Sequence, residues 1–382
     1  MPGKNNIFSE AAASAGKRMV QSAIFAFNSN VDLVKRTDAK GALEIARRAG
    51  LPKLADCVRR GVGGEEIVDK YALQKLMTQG YDEQRIGGQA GNMANAAAAM
   101  GVRAYMHTGV VSREITRHLR PGIMVPTPFC FQKAEEIMSD GEAPVHFVVD
   151  FGVDRYIASY DIHNTHMLIN RNFKRCAERE IRLVERAVIG GFHLLNIPEP
   201  RGRVEEVRVM VKRWKTSNRR LKVHLELGDC QKPRVIPSLF ETLVPNCDSI
   251  GMNEAETRQV VEARGRKWKD VESAMDDMLE VCRSVVVHTS DYAVVAGEDA
   301  DGAEERLALG HLMASFMASN GRPPEAGELE GMQAEPVQVK PEVRKKFRRG
   351  MAFVPALRTK SEKTKLGLGD AFSVGYFCSK LE

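Results

Sequence analysis

Near its C-terminal end the chain carries Thr364-Lys365-Leu366-Gly367-Leu368-Gly369-Asp370-Ala371-Phe372, two glycines one residue apart, then a carboxylate and an apolar run. The spacing predicts a glycine-rich turn opening a helix over residues 364–382. Glycine lets bare backbone approach a ligand. The unpaired N–H groups of a first helical turn, with the helix dipole behind them, attract an anion. A carboxylate placed there repels phosphate, so its use is to take a proton from a hydroxyl lying beside one. Turn plus base is what phosphoryl transfer to an alcohol requires. Gly-x-Gly-Asp also occurs in ordinary loops, so its meaning depends on what the rest of the chain brings to it.

A second cluster, Arg85-Ile86-Gly87-Gly88-Gln89-Ala90-Gly91-Asn92, runs into an alanine-rich helix that stops at Gly101. Its glycines suit either a backbone open to a polyhydroxylated ligand or tight helix packing, and Gln89 and Asn92 offer amide donors and acceptors. Other polar groups follow short apolar runs: Asp32, Glu226, Asn253 with Glu256, and His288 with Tyr292. In an open α/β sheet such groups converge on a crevice at the carboxyl ends of the strands. Glu226, Asn253 and Glu256 supply oxygens suited to a hydrated Mg²⁺, although Asn-x-x-Glu is also an ordinary helix cap. His163-x-x-His166 has no third ligand nearby and reads as a polar loop.

The elements that must position these groups alternate. Strands are expected around residues 22–27, 102–108, 188–195, 222–228, 249–253 and 284–289. Helices are expected over 38–60, 68–77, 112–120, 171–186, 203–217, 238–244 and 270–282, with an extended loop at 321–345. Short apolar runs alternating with helical patterns imply a parallel sheet. Residues 125–165 are β-rich without intervening helices and suggest a small insertion on that core.

A chain of 382 residues, 43% hydrophobic and 28% charged, is long enough for one large or two modest domains of ordinary globular composition. No apolar stretch approaches membrane-spanning length and the N-terminal residues lack a signal-peptide pattern, which points to the cytoplasm. Seven scattered cysteines with no Cys-x-x-Cys pair suggest neither disulfides nor zinc. The net charge of +6 and the basic runs at 212–222 and 344–349 argue little for nucleic acid. Each run holds one aromatic, Trp214 or Phe347, too few for a base-stacking platform.

Taken in order, the motifs resemble those of the ADP-dependent sugar kinases (glucokinase and 6-phosphofructokinase) within the ribokinase-like superfamily. The likeness covers nearly the whole chain: Asn28 to Asp32, Tyr81 to Gly91, His107-Thr108, Arg155 to Ser159, His224-Leu225-Glu226, Ser249 to Glu256, His288 to Tyr292 and Leu366 to Phe372. The resemblance implies a three-layer α/β/α core with a smaller β-rich lid, the core from residues 1–27, 91–124 and 166–382 and the lid from 28–34, 61–90 and 125–165. It implies transfer of the β-phosphoryl group of ADP to a sugar hydroxyl with Mg²⁺, leaving AMP. By that resemblance Asp370 is the general base and a metal-side carboxylate, and Gly367, Leu368 and Gly369 lend N–H groups to the transferring phosphate. Glu226 and Glu256 with Asn253 organise Mg²⁺ through water. Asp32, Gly88, Gln89 and Glu65 hold the sugar, Arg155 reaches in from the lid, and His288 and Tyr292 lie by the nucleotide. Either Glu65 or Glu66 falls where the glucokinases carry a sugar-contacting glutamate, which suits an uncharged sugar. The segment 147–155 lacks the lysines a sugar phosphate would favour, Lys133 being the nearest. The stretch 249–253 looks more like the phosphofructokinase or bifunctional branch. An ATP-dependent ribokinase-like sugar or nucleoside kinase, or a member that binds without turnover, would share the same turn.

Overall fold

The computed structural model describes residues 6–347 and 350–380, so Arg348 and Arg349 of the second basic run lie outside the described residues. Two large sheets organise the described residues, with a two-stranded pairing of Glu335–Pro336 and Leu357–Arg358 beside them. The larger has ten strands in the spatial order Ala352–Pro355, Tyr292–Gly297, Ser284–His288, Ser249–Met252, Lys222–Glu226, Arg186–Ile189, Ser22–Ala26, Arg103–Met106, Met124–Pro126 and Phe131–Lys133. From Ser284–His288 through Met124–Pro126 neighbouring strands run parallel, as the alternation of strand and helix predicts. The strands after His288 and after Pro126 add antiparallel edges.

Alternation along the strands gives this sheet two apolar faces. Ala23 and Phe25 pack with helices Asn6–Arg18, Gln89–Ala99, Glu304–Asn320 and Leu368–Phe377. Ile24 and Ala26 face the opposite layer, with Arg171–Glu180, Arg201–Ser217, Glu254–Ala263 and Val271–Leu279. The result is the three-layer α/β/α core. Trp214 is fully buried in the second layer, and Phe347 packs against Tyr292 and Phe353.

The smaller sheet has five strands, in the order Gly64–Ile67, Arg155–Ser159, Val145–Asp150, Asn30–Arg36 and Glu83–Gly87. One face lies on helices Ala39–Ala49, Pro52–Arg60 and Lys70–Met77 through Leu33, Phe147, Val149, Tyr156 and Ala158. The strands Met124–Pro126 and Phe131–Lys133, from the stretch expected in the lid, pair instead at the edge of the large sheet.

Several expected helices are shorter or divided. Residues 38–60 form two, because Gly50 takes a left-handed φ of 74° as a C-cap and Pro52 starts the next helix. The expected helix at 238–244 is a π-turn over Leu239–Leu243, and that at 112–120 is one turn, Arg113–Thr116. The terminal helix spans Leu368–Phe377 rather than 364–382. Residues 321–345 include short turns at Ala326–Glu328 and Pro341–Lys345.

Candidate active site

The terminal helix starts where the sequence pattern places it. Gly367 sits at its N-cap with φ 72°, a conformation other residues resist, and Asp370 falls in the first turn. Gly369 lies against the His288 ring, whose Cε1 would stand 3.3 Å from an added Cβ. The Asp370 carboxylate accepts a 2.9 Å hydrogen bond from Asn92 Nδ2, on the helix that follows Gly88. Burial pushes Asp370 up to about 7; the Asn92 bond pulls it down and the Glu226 charge adds to the rise. A carboxyl balanced near neutrality is suited to accept a proton.

Asp370 opens on a 610 Å³ cavity between the two sheets, together with Gly367, Leu368, Gly369, Gln89, Arg155, Glu226, Asn253, Glu256 and His288. Glu226 ends its strand as a heavily supported anion: His224 Nε2 lies at 3.1 Å, His288 Nε2 at 3.3 Å, and Ser373 Oγ donates at 2.8 Å. Burial opposes its charge, but the bonds from His224 and His288 outweigh that and hold it well below the usual carboxylate range. His288 is raised in turn, burial being overcome by Glu226 and by the nearby Glu256 and Asp370. Asn253 and Glu256 form a full capping box, so the bland reading of that pair is correct for their mutual contact. They nonetheless face the cavity. Burial drives Glu256 up to about 7, the Asn253 N–H opposing and the Glu226 charge adding to it. Among the described residues no group of three His, Cys, Asp or Glu side chains is arranged to hold a metal ion directly.

Gln89 and, from the small sheet, Arg155 line this cavity; Asp32, Gly88 and Glu65 do not, although Asp32 and Glu65 stand close enough to Arg155 and His146 to feel their charges. Asp32 is buried and takes a 2.6 Å hydrogen bond from Asn30 Nδ2; burial raises it while His146 and Arg85 pull the other way. Gly88 has φ 76°, and an added Cβ would stand 2.7 Å from the Asn28 carbonyl, so close strand–helix packing demands glycine here. Gln89 Oε1 accepts from Gly191 N at 2.6 Å, which fixes its amide over the strand ends.

Strand register puts the two glutamates on opposite faces. Glu65 stands opposite Ile157, which stands opposite Val148 and then Val34, so all four share the face toward the cavity. Glu66 falls on the other face and is hydrogen-bonded by the Tyr156 hydroxyl. Burial brings Glu65 up to about 7, against the pull of His146 and with the charges of Asp229 and Asp32 adding. The neighbouring row on that face is Arg85, Asp32, His146 and Ser159. His146 was missed by sequence reading. It is buried, bound at 2.9 Å to Asp161, and raised because Asp161 overcomes the effect of burial.

Tyr292 does not line the cavity on which Asp370 opens. It borders an adjoining space of 1090 Å³ with Trp268, Phe347 and Lys340, and the two cavities share Arg358 and Thr359. Lys133, on the edge strand of the large sheet, lines neither.

The chain matches the family model described as the ADP-specific phosphofructokinase/glucokinase conserved region over residues 21–379. It is 24% identical over 453 aligned residues to the ADP-dependent glucose/glucosamine kinase of Pyrococcus furiosus, covering 99% of this chain and 98% of that protein. The ADP-specific phosphofructokinase of the same organism is 22% identical, over 79% of each chain. Among solved structures, an ADP-dependent kinase in complex with fructose-6-phosphate and ADPβS superposes with a TM-score of 0.79 at 16% identity, over 99% of this chain and 98% of that one. No helix of the described residues is long and apolar enough to cross a membrane.

Proposed function

The chain belongs to the ADP-specific phosphofructokinase/glucokinase family, and from that premise we propose how its residues divide the work. It is an ADP-dependent sugar kinase that transfers the β-phosphoryl group of ADP to a hydroxyl of glucose or fructose 6-phosphate, leaving AMP. The carrying observation is the Asp370 carboxyl, poised at about 7 in the first turn of a helix and open to the cavity between the sheets.

Asp370 takes the proton of the attacking sugar hydroxyl through its carboxylate. The N–H groups after Gly367 face the transferring phosphoryl group, where the helix dipole favours the charge developing on its oxygens. His288, whose basicity Glu226 raises against the effect of burial, stands beside them with its ring against Gly369. The adjoining cavity with Tyr292, Trp268 and Phe347 takes the nucleotide base, so the diphosphate runs past Arg358 and Thr359 toward Asp370.

The donor set fits a hard divalent cation. It consists of carboxylate oxygens, and the Glu226 charge raises both Glu256 and Asp370, a repulsion that a cation relieves. Because Glu226 is occupied by His224, His288 and Ser373, and Glu256 by Asn253, contact through water suits them. When bound, Mg²⁺ supplies charge neutralisation to the phosphate oxygens.

Asp32, Glu65 and His146 hold the sugar from the lid, with Gly88 and Gln89 below. A glutamate at position 65 suits the hydroxyls of an uncharged hexose, so glucose is the acceptor preferred in this reading, while Arg85, Arg155 and His146 nearby keep fructose 6-phosphate in the test. The unpaired, mostly buried cysteines suit a reducing compartment such as the cytoplasm. The test is a panel of glucose, fructose 6-phosphate and a nucleoside against ADP and ATP, following AMP. AMP and glucose 6-phosphate from ADP are expected; turnover with ATP alone, or with the nucleoside alone, would refute it.

A further inference from the structure

The turn that carries Asp370 is fastened on both sides. Toward the core, the N–H groups of Lys363 and Thr364 both donate to the Ala318 carbonyl near the end of helix Glu304–Asn320. Toward the lid, the Lys365 ammonium donates to the Val153 carbonyl in the hairpin between Val145–Asp150 and Arg155–Ser159. Next in sequence, Leu366 is buried in a small apolar cluster with Val34 and Val148, and Ile157 packs beside them. Those three lid residues are register partners on adjacent strands, so they form a continuous apolar row across the small sheet. The row beside it holds Asp32 and His146, and the apolar row itself runs on to Glu65. The groups that face the sugar and the seat of Leu366 are therefore parts of one rigid surface.

We infer that Leu366 is a positioning residue: seated in the Val34–Val148–Ile157 row, it sets where the Gly367–Asp370 turn stands over the sugar and makes alignment of the base depend on the lid being down. The inference rests on the reading of the chain as an ADP-dependent sugar kinase with Asp370 as base. Lifting the lid withdraws the seat and returns Leu366 to water, so apolar burial favours the closed arrangement. A sugar gripped by Asp32 and Glu65 draws the row onto Leu366. Sugar binding is thereby turned into placement of Asp370, and an empty lid leaves the base out of register, which protects ADP from attack by water.

The experiment uses the full chain with Leu366→Ala, Leu366→Met and Val148→Ala. Misplacing a reacting group by about 1 Å costs about 10²-fold, so Leu366→Ala should lower kcat by about 10- to 100-fold. It should leave ADP affinity unchanged and raise the AMP released per sugar phosphate formed. Leu366→Met, which refills the seat, should restore most of kcat. Val148→Ala should reproduce the loss from the lid side and add little to Leu366→Ala. Parental kcat in Leu366→Ala, or a loss that Val148→Ala does not share, overturns the inference. Should the parent show no ADP-dependent sugar phosphorylation, the functional reading fails by itself. The seat is then judged by hydrogen exchange in strands Val145–Asp150 and Arg155–Ser159, which Leu366→Ala should accelerate and which, if unchanged, removes it.

Discussion

Asn92→Ala removes the hydrogen bond that, among the described residues, holds the carboxylate proposed as the base. The amide donates to Asp370 Oδ2 at 2.9 Å and so favours the charged form, while burial and Glu226 work the other way. With Asp370 as the base its carboxylate is the active form, so kcat/KM should rise with pH along a limb that belongs to this carboxyl, which burial raises and bound Mg²⁺ draws back down. A hydrogen bond to a charged group contributes about 1.5–3 kcal/mol, and about 1.4 kcal/mol corresponds to one pH unit. Water entering the space left by the amide recovers part of that. The limb in Asn92→Ala should therefore move to higher pH by about one unit, because the anion has lost a stabilising donor. The assay is kcat/KM for the sugar across the neutral range, with ADP and Mg²⁺ saturating. Asp370→Asn serves as the reference: it should lose the limb and lower turnover by about 10²–10⁴. A profile in Asn92→Ala that superimposes on the parent's would refute the assignment of the limb to Asp370.

Glu65→Ala should raise KM for glucose by about 10- to 100-fold, the loss of one charge-assisted hydrogen bond, with KM for ADP unchanged; equal effects on both substrates would place Glu65 elsewhere. Glu226→Gln removes the anion that His224, His288 and Ser373 converge on. The variant should need a higher Mg²⁺ concentration for half-maximal rate, and a titration matching the parent's would count against the metal-side role.

Much of this was legible in the sequence because glycine-rich turns and short apolar runs are local signals. Asp370, Gln89 and Glu226 could be placed at strand and helix ends from their neighbours alone. Other features depend on partners distant in sequence. The helix Glu304–Asn320 was passed over because it is buried almost all round and shows no amphipathic stripe. Glu65 and Glu66 are indistinguishable until the pairing with Arg155–Ser159 fixes which one turns inward. Asn92 is visible as an amide, but its partner lies 278 residues away. His146 did leave a trace, as a polar residue two positions before Val148 in an apolar run, yet alternation cannot say which face meets the ligand. The division of 38–60 was readable from Gly50 and Pro52 and was overlooked in favour of the apolar spacing.

The small sheet's cavity-facing rows carry a consequence for how acceptor range can evolve. Successive residues of a strand point to opposite faces, so deleting or inserting one residue within Val145–Asp150 would exchange His146 and Val148 for Phe147 and Val149. Such a slip would discard the proposed sugar-side His146 and the Leu366 seat at one stroke, while thrusting polar groups among the helices behind. New specificities on this scaffold are therefore open to point replacement along the strands, whereas length variation is confined to the turns that join them.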